Sequence, residues 1–246
     1  WNTSQPGTTL NTGAANIYKK QSDDTWLKVA SLATTDTPQI YEGFGKNISM
    51  ENGWLAIGSW RGGTRSWPDY YNGMIYLYKY NPDTDTWGTA TSDSMVFTET
   101  QKIKPQRFGN EFFGYGGYHI VMNNLGYLCV SERYYNKETY RWGSWTPTIY
   151  TLNTTTNLWE LYTTINVVNP TPYYWNGTTV PYNVRGYVMN DDYLLVHTAW
   201  DFSGIDYDED GRVGEDWTGG VYVFKYDSTN KNWTQIQKLL PSKERR

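Results

Sequence analysis

A single cysteine, Cys129, stands in the 246-residue chain, so no internal disulfide can brace the fold. It lies in the apolar run Tyr127-Leu128-Cys129-Val130, which reads as a buried strand, and its expected role is that of a small packed hydrophobe. Histidine is almost as scarce. His119 and His197 both fall inside expected strands, where packing is a better reading than catalysis. No nucleophile elbow, histidine metal cluster or phosphate-binding loop is present. Charge is sparse at 19% of residues, the net value is −4, and Lys and Arg are scattered, which argues against a nucleic-acid partner. No run of 18 apolar residues offers a membrane span, and no signal-peptide pattern opens the segment. No apolar period of 3.6 residues persists, so helix should be minor.

What is abundant is aromatic. The 23 Tyr and 13 Trp suit strands with large flat side chains. They are not scattered. Ile75-Tyr76-Leu77-Tyr78-Lys79-Tyr80 leads through a turn rich in Asn, Pro, Asp and Thr to Trp87. The same unit ends at Trp26, Trp159 and Trp233. The Trp follows nine residues after Tyr78, Tyr150 and Phe224, and eight after Tyr18. Between these hairpins lie shorter ones, turning at Glu51-Asn52-Gly53, at 123–126 and at Asn190-Asp191-Asp192. Asn-Gly favours a tight hairpin because both residues accept positive φ.

A full repeat is therefore four strands, and the Tyr strands recur after 60, 72 and 74 residues. Four-stranded units at this period are blades of a β-propeller. The expected fold is all-β, a partial propeller of three full blades and one outer half blade. Residues 1–40 form the half blade, and residues 41–107, 108–183 and 184–246 the blades. A half blade cannot close a ring. Further blades are expected from the same longer chain or from a second copy.

These residues resemble FG-GAP-type propeller repeats, as in integrin α chains. The resemblance rests on Phe44-Gly45 followed by Leu55-Ala56-Ile57-Gly58-Ser59, and on Gly220-Val221-Tyr222-Val223-Phe224 followed by Trp233-Thr234-Gln235. The Tyr-turn-Trp hairpin is also similar to Kelch repeats. The resemblance implies an extracellular, cell-surface or virion-surface module that is not an enzyme and serves adhesion or structural interaction. The second reading is a carbohydrate-binding propeller. The third is a glycosidase or oxidase, for which Glu111, Glu132 and Glu138 are the loop-proximal carboxylates.

The long connections 61–72, 88–106, 133–147, 163–183 and 201–219 all join strands 2–3 or 4–1. One end of the disc should carry them, and with them a protein or glycan partner. Candidate contacts there are Trp60, Trp67, Tyr70, Tyr71, Tyr134, Tyr135, Tyr174, Trp175, Trp200 and Trp217. The bland alternative is that these rings pin the loops to the disc. Asp206, Asp208 and Asp210, ahead of Gly211, alternate as carboxylates converging on a hard cation do. Glu215 and Asp216 would complete the shell of a structural Ca²⁺. The FG-GAP resemblance implies such loops, though one strand earlier. A solvated acidic loop is the alternative. Of five Asn-x-Ser/Thr sequons, Asn153 and Asn176 sit best for glycosylation. Titration calorimetry with Ca²⁺ should give a saturable heat that Asp208→Asn abolishes; no heat from the unaltered chain removes the calcium loop.

Overall fold

The computed structural model describes residues 13–36, 43–59, 73–104, 111–113, 119–136, 141–165, 167, 174–175, 178–179, 184–198 and 219–240. All regular structure among them is strand. An N-terminal hairpin pairs β1 (Ala15–Lys20) with β2 (Trp26–Ala33). The first blade holds β3 (Phe44–Glu51), β4 (Trp54–Ser59), β5 (Met74–Asn81) and β6 (Thr86–Trp87); an excursion, β7 (Thr89–Ala90) and β8 (Val96–Thr98), joins the sheet of the N-terminal hairpin, and β9 (Gln101–Ile103) returns to the first blade. The second holds β10 (Glu111–Phe113), β11 (Ile120–Met122), β12 (Tyr127–Asn136), β13 (Arg141–Asn153) and β14 (Leu158–Thr164). After a small hairpin, β15 (Tyr174–Trp175) with β16 (Thr178–Thr179), comes the third blade. It comprises β17 (Val184–Met189), β18 (Tyr193–Thr198), β19 (Gly220–Asp227) and β20 (Asn232–Leu239), paired in that order.

The turns follow from their residues. Asn52 and Gly53 both take positive φ, 48° and 72°. In the Tyr-turn-Trp hairpins the residue two before the Trp is left-handed each time: Asp24, Asp85, Asn157 and Lys231 have φ of 51–63°. Side-chain oxygens close three of these turns. Asn81 Oδ1 accepts from the Asp83 amide, Asn153 Oδ1 from Thr155, and Asp227 Oδ1 from Thr229, at 2.9–3.0 Å.

Strand alternation sends each blade's two faces to different neighbours. Leu55, Ile57, Tyr76 and Tyr78 pack on Ala15, Ala30 and Leu32 of the N-terminal hairpin. The opposite face, Trp54, Ala56, Ile75 and Leu77, packs on Leu128, Val130, Tyr150 and Trp159 of the second blade. Tyr127, Cys129 and Ile149 then meet Leu194, Val196, Tyr222, Phe224 and Trp233 of the third. The two seams repeat one ring geometry. Trp54 meets Trp159 edge-on at 5.9 Å and 86°, and Tyr127 meets Trp233 at 6.1 Å and 84°. At the outer ends no facing blade stands among the described residues. Tyr18 and Trp26 are 52% and 65% exposed, and Tyr193, the counterpart of Trp54 and Tyr127, is 38% exposed. His197 is exposed for the same reason, on the uncovered face of the third blade, and is not packed as its strand position suggested.

Two connections differ from the sequence reading. Segment 88–106 is not a plain 4–1 connection. It leaves the blade after β6, and β8 joins β2 in parallel, pairing Ser31 with Val96 and Ala33 with Thr98; β9 then returns to β5. The half blade thereby gains a tie to its neighbour. Gly88 makes the departure, with φ +66°, and a Cβ there would lie 2.2 Å from the Thr98 carbonyl oxygen. Segment 133–147 is likewise mostly strand. β12 and β13 run on as one hairpin arm, with Tyr135 opposite Trp142 and Asn136 opposite Arg141. Runs of Tyr, Arg and Trp have strand propensity, and each arm satisfies the other's backbone. Gly88→Ala should lower stability by about 1–3 kcal/mol from backbone conformation alone. A urea midpoint at the unaltered position would contradict this account of the outer strand.

Candidate functional site

The second strands of the three blades end at equivalent places. Register aligns Ser59, Glu132 and Thr198, opposite Met74, Thr146 and Gly220. All three are buried, at 0%, 3% and 0% exposure. Two blades place a small hydroxyl there and one places a carboxylate. In an antiparallel blade the end of strand 2 lies beside the start of strand 1, so Glu132 sits at the long-connection end of the disc.

Neighbouring positions accommodate it. Tyr150 is buried, and its hydroxyl donates to Glu132 Oε1 at 2.8 Å. Thr148 lies between them on the same strand face. The corresponding positions hold Tyr76 and Tyr222, so a small residue here leaves room for the Tyr150 hydroxyl to reach the carboxylate. Burial pushes the Tyr150 hydroxyl's pKa far up, and the Glu132 charge and hydrogen bond add to that. Burial likewise pushes up the Cys129 thiol, with Glu132 contributing second. Tyr187 is raised by burial first, then by Cys129 and Glu132. All three stay protonated at neutral pH. The Tyr187 hydroxyl is buried and has no hydrogen-bond partner among the described residues. Its ring meets His119 edge-on at 6.0 Å. His119 is fixed by the Ser131 hydroxyl, which accepts from the His119 amide at 2.8 Å.

A second polar cluster ties the N-terminal hairpin to the first blade. Lys102 Nζ donates to Asp36 at 2.7 Å and to the Thr35 hydroxyl at 2.9 Å, and lies 3.4 Å from Glu99. Thr35 donates its hydroxyl to Glu99 at 2.6 Å, and Tyr76 donates to Asp36 at 2.9 Å. Burial alone would raise the Asp36 carboxyl; the hydrogen bonds from Lys102 and Tyr76 and the Lys102 charge outweigh it and hold the pKa below its usual value. Its mutual pairing marks this cluster as a clamp on the β8–β9 excursion.

The residues singled out from sequence are placed unevenly. Asp206, Asp208, Asp210, Glu215 and Asp216 lie outside the described residues, as do Trp60, Trp67, Tyr70, Tyr71, Trp200, Trp217, Glu138 and Asn176. Among the described residues no group of His, Cys, Asp and Glu is arranged for a metal. Tyr134 and Tyr135 are in β12, opposite Phe113 and Phe112, and Tyr174 and Trp175 form β15; none is in an open loop. Glu111 is in β10, opposite Asn136. Asn153 donates its amide nitrogen, the atom a glycan would take, to Glu160 at 3.0 Å. The special place of Glu132 was missed as a repeat position, yet aligning the three second strands by eye would have found it.

No family model and no curated protein matches the chain. Several solved structures share its course. A protein from Lactobacillus plantarum aligns over 91% of this chain and 48% of its own, at 11% identity and a TM-score of 0.45. This chain thus spans about half the length of that one. The periplasmic gluconolactonase of Pseudomonas aeruginosa aligns over 95% of this chain and 67% of its own, at 10% identity and TM-score 0.43. A putative 6-phosphogluconolactonase from Bacteroides fragilis aligns over 93% and 64%, at 10% and 0.34. At such identity the likeness is one of fold. It nevertheless corrects the sequence reading. Two of the three are described as enzymes and none as an FG-GAP or Kelch protein. The FG-GAP and Kelch resemblance, and the step from propeller to a non-enzymatic adhesion or structural module, do not stand. Short Phe-Gly and Tyr-turn-Trp motifs report blade packing, which unrelated propellers share.

Proposed function

We propose that the chain is part of a propeller enzyme that hydrolyses a small ester or lactone, with Glu132 as the base that acts on water. The observation that carries this is the buried carboxylate at a position where both other blades do with a hydroxyl. A carboxylate withdrawn from water costs several kcal/mol unless it is paired or used. Since Ser59 and Thr198 hold the same place in their blades, the fold itself has no need of an acid there. The Tyr150 hydroxyl donates to Oε1 and fixes the orientation of the carboxylate that is to act on water. The Tyr187 hydroxyl, neutral and without an acceptor among the described residues, is the candidate donor for a carbonyl oxygen that gains charge, packed on the side of the second blade that faces the third. A base for water and a donor for the carbonyl are what acyl hydrolysis requires.

The working protein in this reading includes further blades that cover Tyr18 and Trp26 on one side and Tyr193 on the other, whether from a longer chain or a second copy. Its setting is outside the cytoplasm. A panel of lactones and simple esters tests the reading. Glu132→Gln, with an unchanged melting temperature, should lose about 10²–10⁴-fold in kcat. Full turnover in that variant, or no hydrolysis of any panel member by the unaltered protein, overturns it.

A further inference from the structure

At the opposite end of the disc, the seam between the first and second blades contains a cavity of about 170 Å³, lined in part by Asn52, Trp54, Met122, Leu125, Leu152 and Trp159. Its origin is legible in the repeat. The last turn of each third strand brings one residue opposite the seam Trp: Tyr80 faces Trp87, Leu152 faces Trp159 and Tyr226 faces Trp233. In two blades this residue is a tyrosine stacked on the Trp in nearly one geometry, 5.2 Å at 45° and 5.2 Å at 46°. The Tyr226 hydroxyl also reaches across its seam to the Tyr127 hydroxyl at 2.7 Å. The second blade carries Leu152 instead. The ring is absent, and a cavity opens beside the same Trp.

We propose that this cavity binds a small free phenolic molecule, which takes the place that tyrosine occupies in the other two blades. The space equals roughly five or six waters at about 30 Å³ each, enough for one substituted ring. The edge-on pair Trp54–Trp159 forms its apolar wall. Asn52, Asn124 and Glu51 on the rim supply oxygens that can accept from a phenol hydroxyl. The Trp159 indole N–H is buried with no acceptor among the described residues, but so is that of Trp233, whose tyrosine is in place. The missing ring, and not the orphaned N–H, is therefore the feature that selects the ligand. This site is independent of Glu132, which lies at the other end of the blade.

The test uses p-cresol as probe, followed by the indole N–H resonances of Trp54 and Trp159. The unaltered chain should show saturable shifts, with cyclohexanol, a non-aromatic ring of similar size, at least tenfold weaker. Leu152→Tyr restores the repeat residue, so it should fold with an equal or higher melting temperature and lose at least tenfold in p-cresol affinity. Glu132→Gln should bind p-cresol as the unaltered chain does. No saturable shift, equal binding of cyclohexanol, or undiminished binding by folded Leu152→Tyr overturns the proposal; a non-folding Leu152→Tyr would overturn the claimed equivalence of the three positions.

Discussion

The structure depends on aromatic rings that cross from one blade to the next. A four-stranded sheet has two faces and cannot bury both by itself. Trp54 on Trp159 and Tyr127 on Trp233 solve that problem twice with one geometry. Around each pair, side chains from adjacent blades interleave into a continuous core. Each large aromatic buries roughly 150–250 Å², so the seams outweigh any single contact within a blade. The same logic explains the ends of the array. Tyr18, Trp26 and Tyr193 occupy seam positions that no blade faces among the described residues, and they are exposed.

Against this repeated frame, the departures carry the meaning. Where two blades end their second strand in a hydroxyl, the middle one has Glu132, and Tyr150 and Thr148 are adjusted to it. Where two blades stack a tyrosine on the seam Trp, the middle one has Leu152 and a cavity. Where the outer strand should run on, the first blade breaks at Gly88 and lends β8 to its neighbour. The clamp of Asp36, Glu99 and Lys102 then holds that excursion in place. Two of the three departures lie in the middle blade, at its two opposite ends.

Much of the blade architecture was legible beforehand because its signals are local. Asn52-Gly53 demands a tight turn, and Tyr78 to Trp87 states a hairpin of fixed length. Leu55, Ile57, Tyr76 and Tyr78 share one sheet face, which packs on the N-terminal hairpin. The β2–β8 pairing was not legible, since three residues at Val96–Thr98 carry no pattern and their partner lies 65 residues away. The segment 133–147 was read as a long connection, but β12 and β13 pair through much of it, and Pro147 lies opposite Ser131 inside a strand. The candidate site was half visible. Glu132 could be named as a carboxylate near the long connections, but its burial and its bond to Tyr150 depend on the neighbouring strand. The family resemblance misled because motifs that serve packing were taken as motifs of descent.

The most direct test of the seam is a pair of truncations followed by urea unfolding. Trp159→Ala removes a ring wedged between two blades and should cost about 3–5 kcal/mol. Trp26→Ala removes the equivalent ring at an uncovered end, and should change the isolated chain by no more than about 0.5 kcal/mol. If the two truncations cost the same, the blades are not held together by rings crossing between them.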